Sequence, residues 1–328
     1  MFINYYILQF FFVHALCLII GWDVSAVTDM SYMLFENGAT ITSNYYYGGS
    51  DYSFNANIKA WDVSSVTDML GMFYNARIFN QDLSGWDTAQ VTTMQRMFKN
   101  ADSFNADIKY WDVSKVTSMI RMFDQATGFN TEIGAWNVSV VKNMDYMFNS
   151  ASRFNSEIGA WNVNKVTDMR SMFYQASAYN DPTIVAWSTS SLRDVDYMFY
   201  DASSFNVDVS PWNTDAISSM YNVFQGASKF NQVLCWDLTN MYSSTVFSGS
   251  SGSADTSASK CVCSAGEFYN GTACSACPSG TVSFGKTSSC TIVNHPTPVP
   301  TISLPPTSSF RPTTYKTPIS DGPSAMGT

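Results

Sequence analysis

Histidine is almost missing from this chain, and the little there is lies near its ends. The two histidines are His14, in an apolar N-terminal run, and His295, in a C-terminal tail. Serine–histidine–aspartate and cysteine–histidine catalysis therefore have no base in the region between. Charge is scarce as well. Only 13% of the 328 residues are charged, with 17 Lys and Arg against 26 Asp and Glu, giving a net charge of −9. No basic stripe is present, which argues against a nucleic-acid partner. Glycine loops of the kind that cradle phosphates or dinucleotides are absent too. Carboxylate pairs remain, so a carbohydrate-active enzyme survives as a third functional class, behind a recognition protein and a structural one.

What the chain does have is a period. Its nine tryptophans include Trp61, Trp86, Trp111, Trp136, Trp161, Trp187, Trp212 and Trp236, at gaps of 24 to 26 residues; only the gap from Trp22 to Trp61 is longer, at 39. A fixed spacing in this range marks stacked copies of one supersecondary unit. Within the unit that starts at Trp61, Val66, Met69, Met72, Phe73 and Ala76 have the offsets of one face of a short helix. Ser64, with Ser25, Ser114, Ser139, Asn164, Ser190 and Asp215 at the same column, reads as its N-cap, although Ala89 breaks the column. The rest of the unit, around Leu83 and Trp86, reads as a short extended segment. The expected fold is an α/β solenoid of 25-residue repeats, each turn supplying one short parallel strand and one short helix. An all-β solenoid is the alternative, because so short a helix is marginal alone.

Two kinds of column carry polar chemistry. Asn55, Asn80, Asn105, Asn130, Asn155, Asn180, Asn206 and Asn231 each follow an aromatic residue. An amide both donates and accepts, so this column is expected to form a structural ladder between turns. Asp82, Asp107, Glu132 and Glu157 form an acidic column, with Asp208 further on, and a second runs through Asp62, Asp87 and Asp112. Like charges about 5 Å apart on neighbouring turns raise calcium as a cofactor, against the plainer reading of carboxylates that accept amides at turns. Fourteen of seventeen methionines fall in two columns on the apolar face, where core filling is the expected role. Ser65, Gln90, Lys115, Val140 and Lys165 share an exposed variable column. The long first repeat holds an insertion with Tyr45, Tyr46, Tyr47 and Tyr52, a composition suited to recognition by rigid aromatic contact.

The recurring string W-[DN]-V-S-x-V-T-x-M-x-x-M-F-x-x-A-x-x-F-N-x-[DE]-I resembles the BspA-like leucine-rich-repeat surface proteins. Their repeat is shared with mycoplasma-type surface lipoproteins and many protist proteins. The resemblance runs from Gly21 to Phe247. It implies a surface or secreted location and a role in adhesion or recognition, and it brings no catalytic residues.

The flanks point to the same compartment. Residues 1–20 read as a signal peptide or signal anchor, or as a truncated first repeat. The repeats span 21–247, a linker 248–260, a cysteine-rich module 261–290 and a disordered Pro/Thr/Ser-rich tail 291–328. Cys235, Cys261, Cys263, Cys274, Cys277 and Cys290 are disulfide candidates, in preference to a zinc site that would need a second well-spaced pair. The spacing of the last five resembles ephrin-receptor-like and tumour-necrosis-receptor-like modules. Asn137 and Asn270 stand in N-glycan sequons. No apolar segment follows the tail, so the chain is expected to be secreted or else incomplete at that end. The expected partner is an extracellular protein or glycan, with a membrane engaged only through the N-terminal segment. The expected function is non-enzymatic recognition or adhesion, the alternative a wall or matrix component.

Overall fold

The computed structural model describes residues 23–34, 54–238 and 243–255, the side chains of the last from 245 onward. It also describes the backbone of Glu267–Tyr269, Cys274–Ala276, Thr281–Val282 and Thr291–Ile292. Contacts divide the chain into Met1–Thr291 and Ile292–Thr328, and the architecture below belongs to the first unit. The N-terminal apolar run, Tyr45, Tyr46, Tyr47, Tyr52, Cys261, Cys263, Cys277, Cys290 and Asn270 lie outside the described residues.

Successive repeats are joined in order by parallel bridges. Asp29 pairs with Asp68, Asp68 with Thr93, and the series continues through Ser118, Asn143, Asp168 and Asp194 to Ser219. The bridge falls in the Val-Thr-x-Met part of the unit, which the apolar offsets assign to a helix. That helix does not form. After each bridge comes a run of turns in which amides alternate between two kinds of partner. The amides of Arg96, Phe98 and Asn100 donate to the carbonyls of Ile120, Met122 and Asp124 in the next repeat, at 2.9, 2.9 and 2.8 Å. Those of Met97, Lys99 and Ala101 close turns onto Met94, Arg96 and Phe98 at 3.2, 3.1 and 3.0 Å. An α-helix would keep every amide inside the segment; here alternate amides are reserved for the neighbour. Turns closing over three residues still place apolar side chains three or four apart, so the pattern mimics a helical one.

The backbone enforces this arrangement with two left-handed residues per repeat. One column includes Arg96, Arg121, Tyr146, Ser171 and Tyr197, at φ between 53° and 57°; the other includes Asn100, Gln125, Ser150, Gln175 and Asp201, at 52° to 61°. A non-glycine residue there costs about 1–2 kcal/mol, and Gly71 and Gly226 occupy the same two columns at φ 60° and 71°. The serine column caps no helix either. Ser64 and Ser114 donate their amides to Asp62 and Asp112 at 3.0 and 2.8 Å, closing Asx turns.

Inside each turn lie stacked rings. Phe98 and Phe104, of one repeat, stack at 3.8 Å, and Phe98 meets Phe123 of the next at 5.6 Å and 3°. The indoles form a third column: Trp86 and Trp111 lie 6.2 Å apart at 4°. From Trp86 to Trp236 each indole N–H donates to a carbonyl 27 to 29 residues earlier, as when Trp111 donates to Leu83 and Trp161 to Ile133, at 3.1 and 3.0 Å. Both methionine columns are buried apart from the half-buried Met33, with Met119, Met122, Met144 and Met147 each at 0% exposure.

The irregular places leave the stack intact. On either side of residues 35–53, which lie outside the described residues, Met30 and Tyr32 still donate to Asp68 and Leu70, at 2.9 and 2.7 Å. The extra residue near Pro182 is absorbed by a 3-10 turn, Pro182–Ala186, capped by Asp181. At the far end Phe224 donates to Val246 at 2.8 Å and stacks on Phe247 at 5.5 Å. There Val233–Leu234 and Ser253–Ala254 form a parallel pair. Cys235 is buried and disulfide-bonded. Among the described residues no helix is long and apolar enough to cross a membrane.

Two substitutions test this account by urea denaturation. Phe148→Ala removes a fully buried ring that contacts both neighbours and is expected to cost about 3–5 kcal/mol. Ser150→Gly relieves a left-handed serine and is expected to stabilise by up to about 1 kcal/mol.

Candidate functional site

The turns that follow each bridge carry four columns of variable side chains between the buried Met and Phe columns. In the repeat that starts at Trp86 they are Gln95, Arg96, Lys99 and Asn100; in the next, Ile120, Arg121, Asp124 and Gln125. Apolar columns repeat from turn to turn because they must fill the same space. These four do not repeat, and their side chains are mostly half-buried or exposed. Arg, Tyr and Ser stand in the left-handed columns where glycine would be less strained. Such strain is expected where a side chain is wanted for itself.

The early rows are internally neutralised. Asp124 is fully buried, and its carboxylate accepts from Lys99 at 2.5 Å, from Arg121 at 3.3 Å and from the Asn149 amide at 2.7 Å. The Arg121 guanidinium also lies 4.2 Å from the centre of the Tyr146 ring, and Lys99 lies 6.0 Å from that of Tyr74. Charge-assisted bonds and ring contacts of this kind offset the loss of hydration.

Farther along, carboxylates outnumber cations. Arg170 is shared by Asp168 at 3.2 Å, Asp194 at 3.6 Å and Asp145 at 3.8 Å. The last distance is an ion pair but no hydrogen bond, and both Asp145 Oδ1 and Arg170 Nε are buried without hydrogen-bond partners. Burial, with the Asp168 charge adding to it, pushes the Asp145 carboxyl up from 3.8 to about 7, against the pull of Arg170 and Arg121. Burial also raises Asp194. Next to this group stand four tyrosines from three repeats. Tyr174 and Tyr200 stack at 4.6 Å and 2°, Tyr197 meets Tyr221 edge-on at 5.3 Å, and Tyr197 lies 5.9 Å from Tyr200.

The residues singled out from sequence take other roles. The asparagine column is a ladder: the amides of Asn80, Asn105, Asn130 and Asn155 donate to the side-chain oxygen of the asparagine one repeat earlier, at 3.1, 2.8, 2.7 and 2.7 Å. The series runs on through Asn180, Asn206 and Asn231. Its members are largely solvent-exposed, not buried as an unpaired-group argument would have them. In the acidic column Asp82 and Asp107 accept the amides of Ser84 and Lys109 at 2.9 and 3.1 Å and pair with Lys59 and Lys109. Glu132 and Glu157 are exposed. Among the described residues no group of three or more His, Cys, Asp or Glu is placed to hold a metal ion. Gln90 accepts from Lys115 at 2.7 Å on the exposed edge. Asn137 is exposed, its oxygen accepting the Ser139 amide at 3.2 Å.

Asp145, Arg170 and the tyrosine group escaped sequence reasoning. The signal was there in part: Tyr174 and Tyr200 stand one repeat apart in a shared column, with Tyr197 and Tyr221 in two further variable columns. It needs the columns to be read for what varies, after those that recur have been set aside.

A family model described as "Mycoplasma protein of unknown function, DUF285" matches residues 13–130, 43–160, 103–185 and 156–259. These overlapping matches cover more than half of the 328 residues. The chain belongs to this family. DUF285 membership fits the repeat surface protein expected from the repeat string. The DUF285 matches end at 259, before the cysteine-rich segment, and lend its resemblance no support. No curated protein and no solved structure matches the chain.

The raised Asp145 carboxyl has a pH signature. Its folded value lies above the unfolded one, so from about pH 4 to about pH 7 the folded chain keeps a proton that the unfolded chain has lost. Stability therefore falls as pH rises through that window. Asp145→Asn is expected to raise the melting temperature at pH 8 and leave it unchanged near pH 4. Parallel pH profiles for the two proteins, followed by circular dichroism, would contradict this.

Proposed function

We propose that this chain is a secreted or surface-displayed protein whose stacked repeats form a solenoid and present the variable columns to a protein or glycan ligand, without enzymatic activity. The observation that carries the reading is the contrast within each turn. Side chains that fill the interior recur from repeat to repeat, whereas charged and aromatic side chains beside them vary, and two of their four columns are held in left-handed backbone positions. A surface assembled from many repeats suits recognition by extended contact. Membership in a repeat family of the surface type supports the location. Disulfide bonding at Cys235 fits an oxidising compartment, and in this reading the cysteine-rich module and the Pro/Thr/Ser-rich tail serve as a stapled spacer and a stalk.

The test is a pull-down from cell-surface and extracellular protein extracts, run beside a glycan array, with the full chain. A true ligand at a hundredfold excess over Kd is expected to stabilise the chain by about 2.7 kcal/mol, read as a rise in melting temperature. Absence of any ligand, together with resistance to extraction from the native cell, would favour a wall or matrix component.

A further inference from the structure

We infer that Tyr174, Tyr197, Tyr200 and Tyr221, with the carboxylates of Asp196 and Asp201, form a docking surface for a lysine- or arginine-bearing segment of a protein partner. The inference rests on the recognition role proposed above and names the chemistry of its ligand. In the early rows of the same columns, rings and carboxylates are matched by the chain's own cations: Arg121 sits 4.2 Å over Tyr146 and also bonds Asp124, while Lys99 bonds Asp124 and approaches Tyr74. In the later rows the acceptors persist while the cations thin to Arg170, which is already shared by Asp145, Asp168 and Asp194. Ser171 and Asn222 occupy the column that holds Arg96 and Arg121 earlier.

The geometry of the later rows completes the case. Tyr221 is 38% exposed, and Tyr174, Tyr197 and Tyr200 are half-buried, so their rings form one continuous edge open to solvent. Asp196 is fixed by the Ser219 hydroxyl and the Tyr221 amide, at 2.5 and 2.6 Å on one oxygen. Asp201 is reached by the Gln175 amide at 3.4 Å. Neither forms an ion pair with a described residue. The phenols register the same negative field: burial first, then neighbouring rings with Asp201 or Asp196, raise Tyr174 and Tyr197 above the ordinary value. A guanidinium or ammonium placed here gains ring faces and carboxylates together. A neutral sugar gains only the rings, so charge complementarity favours a basic segment.

The experiment is fluorescence anisotropy with a fluorescein-labelled oligo-arginine peptide and the full chain, with an oligo-glutamate peptide as control. The chain is expected to bind the first and not the second, more weakly as salt rises. Tyr200→Ser combined with Tyr221→Ala is expected to weaken binding about tenfold without altering net charge. Tyr200→Phe, which keeps the ring, is expected to retain binding and guards against a loss caused by misfolding. Asp201→Asn should weaken binding several-fold. Asp87→Asn, which removes the same charge from another column where asparagine also occurs at Asn137 and Asn162, should not. Equal loss in the two Asn variants, or undiminished binding in the tyrosine variants, overturns the inference by showing general attraction to an acidic protein. Glycan binding that disappears with the same tyrosines, without peptide binding, overturns it in favour of a sugar ligand. A partner captured in the pull-down but indifferent to these substitutions leaves the recognition role standing while this surface falls.

Discussion

Alternate amides in each repeat have no partner until the next repeat arrives. Between residues 96 and 101, half of the backbone donors close turns locally and the others point to carbonyls about one repeat onward. An unpaired buried amide is costly, so no repeat is stable alone and every repeat fixes the position of its neighbour. The aromatic columns follow from this constraint. Once backbones are in register, each Phe and Trp meets its equivalent one turn away, nearly parallel, and the interior becomes a set of continuous stacks. Stability then accumulates through nearest-neighbour contacts, as in other repeat proteins.

The same register makes a surface. Side chains 24 to 26 residues apart in sequence become lateral neighbours, so a variable column turns into a row of chemically distinct groups at fixed spacing. One part of that row neutralises itself, around Asp124. Another gathers carboxylates around a single Arg170 and sets four tyrosines beside them. Positions that bear a left-handed backbone are expensive for any side chain but glycine, which makes the arginines and tyrosines there informative about use and not about folding.

Much of this was legible in the residues. The tryptophan spacing, the asparagine column and the burial of both methionine columns are direct consequences of identical units packing on one another, and a repeated residue shows where they touch. The apolar offsets from Val66 to Ala76 misled for a physical reason: turns that close over three residues place apolar side chains almost as a helix does, and periodicity alone cannot separate them. The serines at the start of that run were misread with it, since an Asx turn and a helix cap use the same short polar residues. The tyrosine group was hidden because its four members are spread over three variable columns.

The sequence by itself determined the repeat, its length, its buried columns and the family to which the chain belongs, because those depend on what every copy must share in order to stack. Only the tertiary structure decided that the Val-Thr-x-Met stretch forms bridges and left-handed turns instead of a helix, and that Asp145 crowds against Asp168 beside a shared arginine. The reason is that hydrogen-bond partners and lateral charges lie in the next repeat, where local pattern has no purchase until the register between repeats is set.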